Sequence, residues 1–189
     1  MSNENIFFDT SKLKKCGDNV IIGKAVRIRH PEKVSIGDNV IIDDFCYISG
    51  EVNIGDYVHI GNGCTLSAGR DTVTLQPFSA MAPGVKIFAG SSNYLECGLD
   101  IPTVPSAFQY NIISEDVFVE RFSLLGANCV VLPGVKIPEG CAFSANVVVK
   151  KTMNLKAWHL FLDNTGKALK RSGVDKLLFE TAKFYTFDE

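Results

Sequence analysis

The chain has 189 residues, of which 46% are hydrophobic and 21% charged. That composition excludes a disordered chain, and the length fits one domain with a tail. No run approaches about 18 apolar residues, so no membrane-spanning helix is expected, and a net charge of −2 argues against nucleic acid as the main partner.

The first residues, MSNENIFFDTSKLKK, lack the basic-then-apolar order of a secretory signal, so a cytoplasmic protein is expected. From Ile36 the chain shows a period of six: Ile36, Ile42, Ile48, Ile54, Ile60, Leu66. After a three-residue slip it resumes at Leu75, Met81 and Ile87, and after a longer break at Ile113, Val119, Leu125, Val131, Ile137, Phe143 and Val149. All of these positions are apolar, which chance would produce about four times in a million. Cys16, Ile22 and Ile28 extend the same period backwards. Four residues after the marker positions stand small or β-branched side chains such as Val40, Cys46, Val58, Ser79 and Cys129.

A helix would need a spacing of 3.6 and an isolated strand strict alternation. A six-residue period describes a short strand and a corner, repeated. Gly17-Asp18-Asn19, Gly37-Asp38-Asn39, Gly55-Asp56 and Gly61-Asn62 supply residues that tolerate left-handed corners. Three faces close a triangular coil, and coils stack about 4.8 Å apart through parallel hydrogen bonds. The expected fold is all-β, a parallel β-helix prism of about six coils. Cys46, Cys64, Cys129 and Cys141 fall on the small inward position and read as buried reduced thiols; only Cys97 is out of register.

The slips fall at residues 29–35, 69–74 and 91–112, each after a third-face hexad, so all three leave the prism at one edge. Repeat proteins gather insertions on a binding face, and this edge is the expected functional one. The 91–112 arm carries Pro102, Pro105, Tyr94, Phe108 and Tyr110, and is expected to dock on another subunit. The expected division is a prism over 1–151 and a connector with a helix over 152–189. Residues 174–184 read as an amphipathic helix with Leu177, Leu178, Ala182 and Phe184 on its apolar side, suited to covering the last coil's open edge. The tail is basic: residues 150–189 hold 8 Lys/Arg against 5 Asp/Glu, whereas residues 1–149 hold 11 against 16.

The repeat, with VVLPGVKIPEGCAFSANVVVKK (130–151), resembles the left-handed β-helix (hexapeptide-repeat) acyltransferases over roughly residues 16–171. IDDFCYISG (42–50), GDYVHI (55–60) and PTVP (102–105) look like the galactoside and sugar O-acetyltransferase branch. The resemblance implies left-handedness, a homotrimer with active sites in grooves between prisms, and acetyl transfer from acetyl-CoA. It implies a sugar or nucleotide-sugar hydroxyl or amine as acceptor, in surface polysaccharide biosynthesis. It also implies a His general base near neutral pH.

The chain departs from that pattern. Ser92 and Asn93 stand where the branch carries its loop His, Arg121-Phe122 replaces a Lys-His pair, and Asp163-Asn164-Thr165-Gly166-Lys167 replaces the usual tail motif. His59, at the outward end of a first-face hexad, is therefore the expected base. His30, on the insertion edge, and Asn93, Tyr94 and Glu96, in the arm, are the expected acceptor contacts. Ser144, Lys150, Lys151, Lys167, Lys170 and Arg171 are the expected cofactor contacts, their cations suiting phosphates. The third histidine, His159, is expected to pack near the cofactor end. Histidines at 30, 59 and 159 include no close pair, so no catalytic metal is expected. A non-catalytic prism that binds a ligand or partner through the same edge is the alternative.

Overall fold

The computed structural model describes residues 8–187. The hexads build a left-handed parallel β-helix of six complete coils and the start of a seventh. On the first face Cys16, Ile36, Ile54, Leu75, Val119 and Ile137 stack in register. The second face stacks Ile22, Ile42, Ile60, Met81, Leu125, Phe143 and Phe161. The third stacks Ile28, Ile48, Leu66, Ile87, Val131 and Val149. All but the half-buried Cys16 are buried and belong to one core.

The small inward positions are buried as expected. Their four cysteines hydrogen-bond to carbonyls further along the coil: Cys46 to Gly61 at 3.2 Å, Cys64 to Ala82 at 3.3 Å, Cys129 to Ser144 at 3.0 Å and Cys141 to Lys156 at 3.2 Å. Burial pushes the Cys141 thiol up to about 12. These thiols fill space and are not nucleophiles.

Three expectations need correction. Ile113 does not belong to a coil. It pairs with Ser91 in an antiparallel hairpin, Gly90–Ser92 against Ile112–Ser114, and the coil resumes only at Val117–Val119. The left-handed corner conformation falls not only on Asn19 and Asn39 but on Tyr57, Phe78, Phe122 and Trp158, all at the edge between first and second faces. For bulky side chains that conformation costs about 1–3 kcal/mol each. Here the rings offset it by stacking, with centroids 4.9 Å apart for Tyr57–Phe78 and 5.2 Å for Phe78–Phe122.

The third correction concerns the tail. The last coil is covered by strand His159–Phe161, which continues the second face and then pairs antiparallel with Ala168–Lys170. Helix α1 (Val174–Thr181) instead lies back along the side of the prism. Beyond it Phe184 and Tyr185 pack edge-on against Tyr57 and Phe78, and the Tyr185 hydroxyl is 2.7 Å from Asp56 Oδ2. The aromatic ladder, whose Phe122 is buried here, gives the tail an apolar surface to cover, and the strand edge is already paired by the hairpin.

In the coil below, Gly140 takes the corner position with φ +66°, and an added Cβ would fall 2.1 Å from Trp158 Cε3. Gly140→Ala is expected to cost about 2–3 kcal/mol, combining backbone strain with overpacking. Urea unfolding should show a lower midpoint at an unchanged slope.

Candidate active site

Every excursion does leave the prism at the third–first edge. From the bottom coil upward these are the turn Pro31–Lys33, the bulge at 69–71 and the arm, and the regular corners at Gly50 and Lys150-Lys151 lie on the same edge. Just above the bulge the arm springs from its hairpin, and the bulge is bonded to it three times. Arg70 Nη2 donates to Gln109 Oε1 at 3.4 Å, the Ser114 hydroxyl donates to Asp71, and Asp116 Oδ1 accepts from the Thr72 amide at 2.9 Å. One step higher Lys151 pairs with Glu115. The arm tip is open to solvent: Tyr94 is 89% exposed, Leu95 97% and Tyr110 78%.

The expected site residues do not all converge within one chain. His30 lies on this edge near its foot, beside Glu32 at 3.4 Å, three coils below the arm. Asn93, Tyr94 and Glu96 share the arm's first turn. His59 stands outward on the second face, in strand His59–Ile60, so it belongs to that face rather than to the end of the first. Its Nε2–H lies 2.9 Å from Asp43 Oδ2. Donation to that carboxylate leaves Nδ1 as the ring's acceptor nitrogen.

The expected cofactor contacts divide in the same way. Lys150 and Lys151, with Lys136, Met153 and Leu155, line a cavity of about 310 Å³ beside the third–first edge. Cations for phosphates next to an apolar wall for an adenine fit a CoA nucleotide. Ser144 lies at the second–third edge, where its amide donates to Phe161 O at 2.9 Å, and Lys167 lies in the turn held by Asp163. Lys170 pairs with His159 in the terminal hairpin. The Arg171 guanidinium donates to Gly140 O at 2.6 Å and Phe122 O at 3.3 Å, holding the tail to the first–second edge. His159 Nδ1–H donates to Ala157 O at 2.8 Å, and the ring lines a separate cavity of about 290 Å³ with Lys156 and Phe161.

Sequence reasoning missed Asp71, Ser114, Asn111 and Asp43. Asp71 sits in a slip that had been marked as functional; placing Ile113 in a coil concealed its neighbour Ser114. Nothing in the hexad pattern pointed to Asp43, which stands one residue after a core position.

A triangular parallel prism built on a six-residue period, with an arm leaving one edge, defines a hexapeptide-repeat protein. The family model for bacterial transferase hexapeptide (six repeats) matches residues 33–68, and the hexapeptide repeat of succinyl-transferase matches residues 117–151. A dTDP-4-amino-4,6-dideoxy-D-glucose acyltransferase of Escherichia coli is 35% identical over 141 residues, 73% of this chain and 72% of that protein. The chain belongs to the hexapeptide-repeat acyltransferases.

Among solved structures, AntD, an N-acyltransferase from Bacillus cereus, in complex with dTDP and 3-hydroxybutyryl-CoA, superposes with a TM-score of 0.85 at 29% identity. That match covers 95% of this chain and 98% of AntD. A mutant of AntD in complex with dTDP-4-amino-4,6-dideoxyglucose and Coenzyme A gives 0.86 at 28% identity, over 96% and 99%. A maltose O-acetyltransferase from Clostridium difficile 630 shares the fold alone, with a TM-score of 0.55 at 13% identity over 85% of this chain and 71% of that one. Among the described residues no group of three or more His, Cys, Asp or Glu side chains could hold a metal ion, and no helix is long and apolar enough to cross a membrane.

Proposed function

We propose that the protein transfers an acetyl or related acyl group from a CoA thioester to the amino group of a nucleotide-linked amino sugar, within a homotrimer. The supporting observation is the near full-length likeness to AntD, an N-acyltransferase solved with a nucleotide amino sugar and CoA. Surface polysaccharide construction is the proposed setting, and the six unpaired thiols suit a reducing cytoplasm.

In this reading the sites lie between copies. The arm leaves one side of the prism between Ile87 and Val117. At the same height on the first–second edge, Phe78, Phe122, Leu124, Leu177 and Phe184 line an apolar cavity of about 370 Å³. One chain cannot join the two, but a second copy with a parallel axis can, and such head-to-tail contacts close into a ring. Ile21, Ile41 and Leu124 continue the apolar surface along the outer second face. The same placement brings the arm's Asn93, Tyr94 and Glu96 to the neighbouring copy's second face, where His59 stands. Lys150 and Lys151 of one copy then face Arg171 of the next across the groove.

The acceptor amine attacks the acyl carbon, the C–N bond forms, the C–S bond breaks, and CoA leaves as the thiol. His59 Nδ1 takes the ammonium proton, with Asp43 stabilising the imidazolium, and then gives that proton to the departing CoA thiolate. The Ser114–Asp71 hydrogen bond favours a second reading for the base. That carboxylate is half-buried at the foot of the arm of its own chain.

The test is thiol release measured with acetyl-CoA and two acceptors, dTDP-4-amino-4,6-dideoxyglucose and its 4-hydroxyl counterpart. Amine-dependent, saturable release is expected. Release only with the hydroxyl acceptor would overturn N-transfer, and release with neither, without CoA binding, would favour the non-catalytic prism.

A further inference from the structure

The arm has an internal wiring that hydrophobic packing does not provide, since its large apolar side chains are exposed. Two amide side chains on its returning segment, just before strand Ile112–Ser114, close it into two turns. Asn111, only 7% exposed, donates from Nδ2 to Glu96 O at 2.6 Å and to Asn93 O at 3.3 Å. The Asn111 backbone carbonyl accepts from the Asn93 backbone amide at 3.1 Å. Gln109 does the same for the outer turn, donating from Nε2 to Val104 O at 2.5 Å and Ile101 O at 3.2 Å, while Arg70 from the bulge below holds its Oε1.

The turn that Asn111 closes is the one carrying Asn93, Tyr94 and Glu96. Asn111 also fits tightly: a Cβ on Gly98 would meet its own Cβ at 2.7 Å. A buried amide satisfied by carbonyls 15 and 18 residues away specifies one loop shape, because any other shape leaves it unpaired.

The geometry points to Asn111 as a positioning residue for acceptor recognition, holding the 93–96 turn in its acceptor-facing shape without touching the acceptor. This rests on the reading that the arm binds the acceptor. The Asn111 side chain lies outside the coil, so its loss leaves the core stack and the Lys150–Lys151 cavity as they are.

The test is steady-state kinetics on Asn111→Ala and on Asn111→Asp, which keeps the shape but removes the donor. Tyr94→Ala and Glu96→Ala serve as controls. Both Asn111 variants are expected to raise the acceptor KM about 10-fold, in line with two lost hydrogen bonds, while kcat stays within about threefold. CoA affinity and Tm should match those of the unmodified protein.

An unchanged acceptor KM in both Asn111 variants, with Tyr94→Ala or Glu96→Ala raising it, overturns this inference alone. No effect from Tyr94→Ala and Glu96→Ala removes the arm reading and the inference with it. A parallel fall in Tm and CoA affinity overturns it as well, because the residue would then be serving the fold.

Discussion

His59→Ala is expected to lower turnover by about 100-fold or more with the assembly intact, the usual effect of removing a general base. The imidazole is poised for that role. It stands outward from a buried strand whose next residue, Ile60, is fixed in the core, so its Cα cannot drift. Its Nε2 is engaged by Asp43 at 2.9 Å, which orients the ring and leaves one nitrogen for the substrate. Asp43→Asn should therefore lower turnover less, by about 10-fold, through loss of orientation and of imidazolium stabilisation. Single-turnover rates with saturating substrates measure both. Unchanged turnover in His59→Ala, with a large loss in Asp71→Asn, would move the base to the foot of the arm and leave the family assignment untouched.

Phe161→Ala is expected to cost about 3–5 kcal/mol, the range for removing a buried aromatic. Phe161 is 1% exposed and stacks on Phe143 with centroids 5.1 Å apart. It is the last rung of the second face and the anchor of the hairpin that closes the prism. Its loss opens a cavity and also loosens the strands that shield the end of the stack, so aggregation should accompany the lower stability. Leu169→Ala, on the exposed side of the same hairpin, should change stability by less than about 0.5 kcal/mol. Equal effects from the two would mean that the hairpin, rather than the core rung, carries the end of the prism.

The faces were legible because a parallel coil repeats one physical demand, a large side chain pointing inward every sixth residue, and neighbouring coils stack it in register. The insertion edge was legible for the same reason, since breaks in a strict period can be counted. Ile113 was misplaced because it stands six residues before Val119, so an apolar residue of the hairpin strand falls in phase with the coil by coincidence. The helix was placed near its actual span, but an amphipathic pattern shows that a face is buried and not what it lies on. Its partner is a ladder of rings in left-handed corners, at positions where sequence rules favour Gly and Asn. The contacts across the arm, Asp71 with Ser114 and Asn111 with Glu96, join residues far apart in sequence through short polar side chains that carry no periodic signal.

In the proposed assembly one copy's arm seats on the neighbouring copy's first–second edge, so that each site draws on two chains. The native Cys97 is the one exposed cysteine and lies in the arm, while Glu180 lines the apolar cavity beside helix α1. In Glu180→Cys, mild oxidation of the native assembly should join Cys97 of each copy to residue 180 of the next. Denaturing electrophoresis should then show covalent dimers and trimers that disappear when Cys97 is replaced by Ser. Crosslinking only between two Cys97 residues, or a protein that remains a monomer in light scattering, would contradict it.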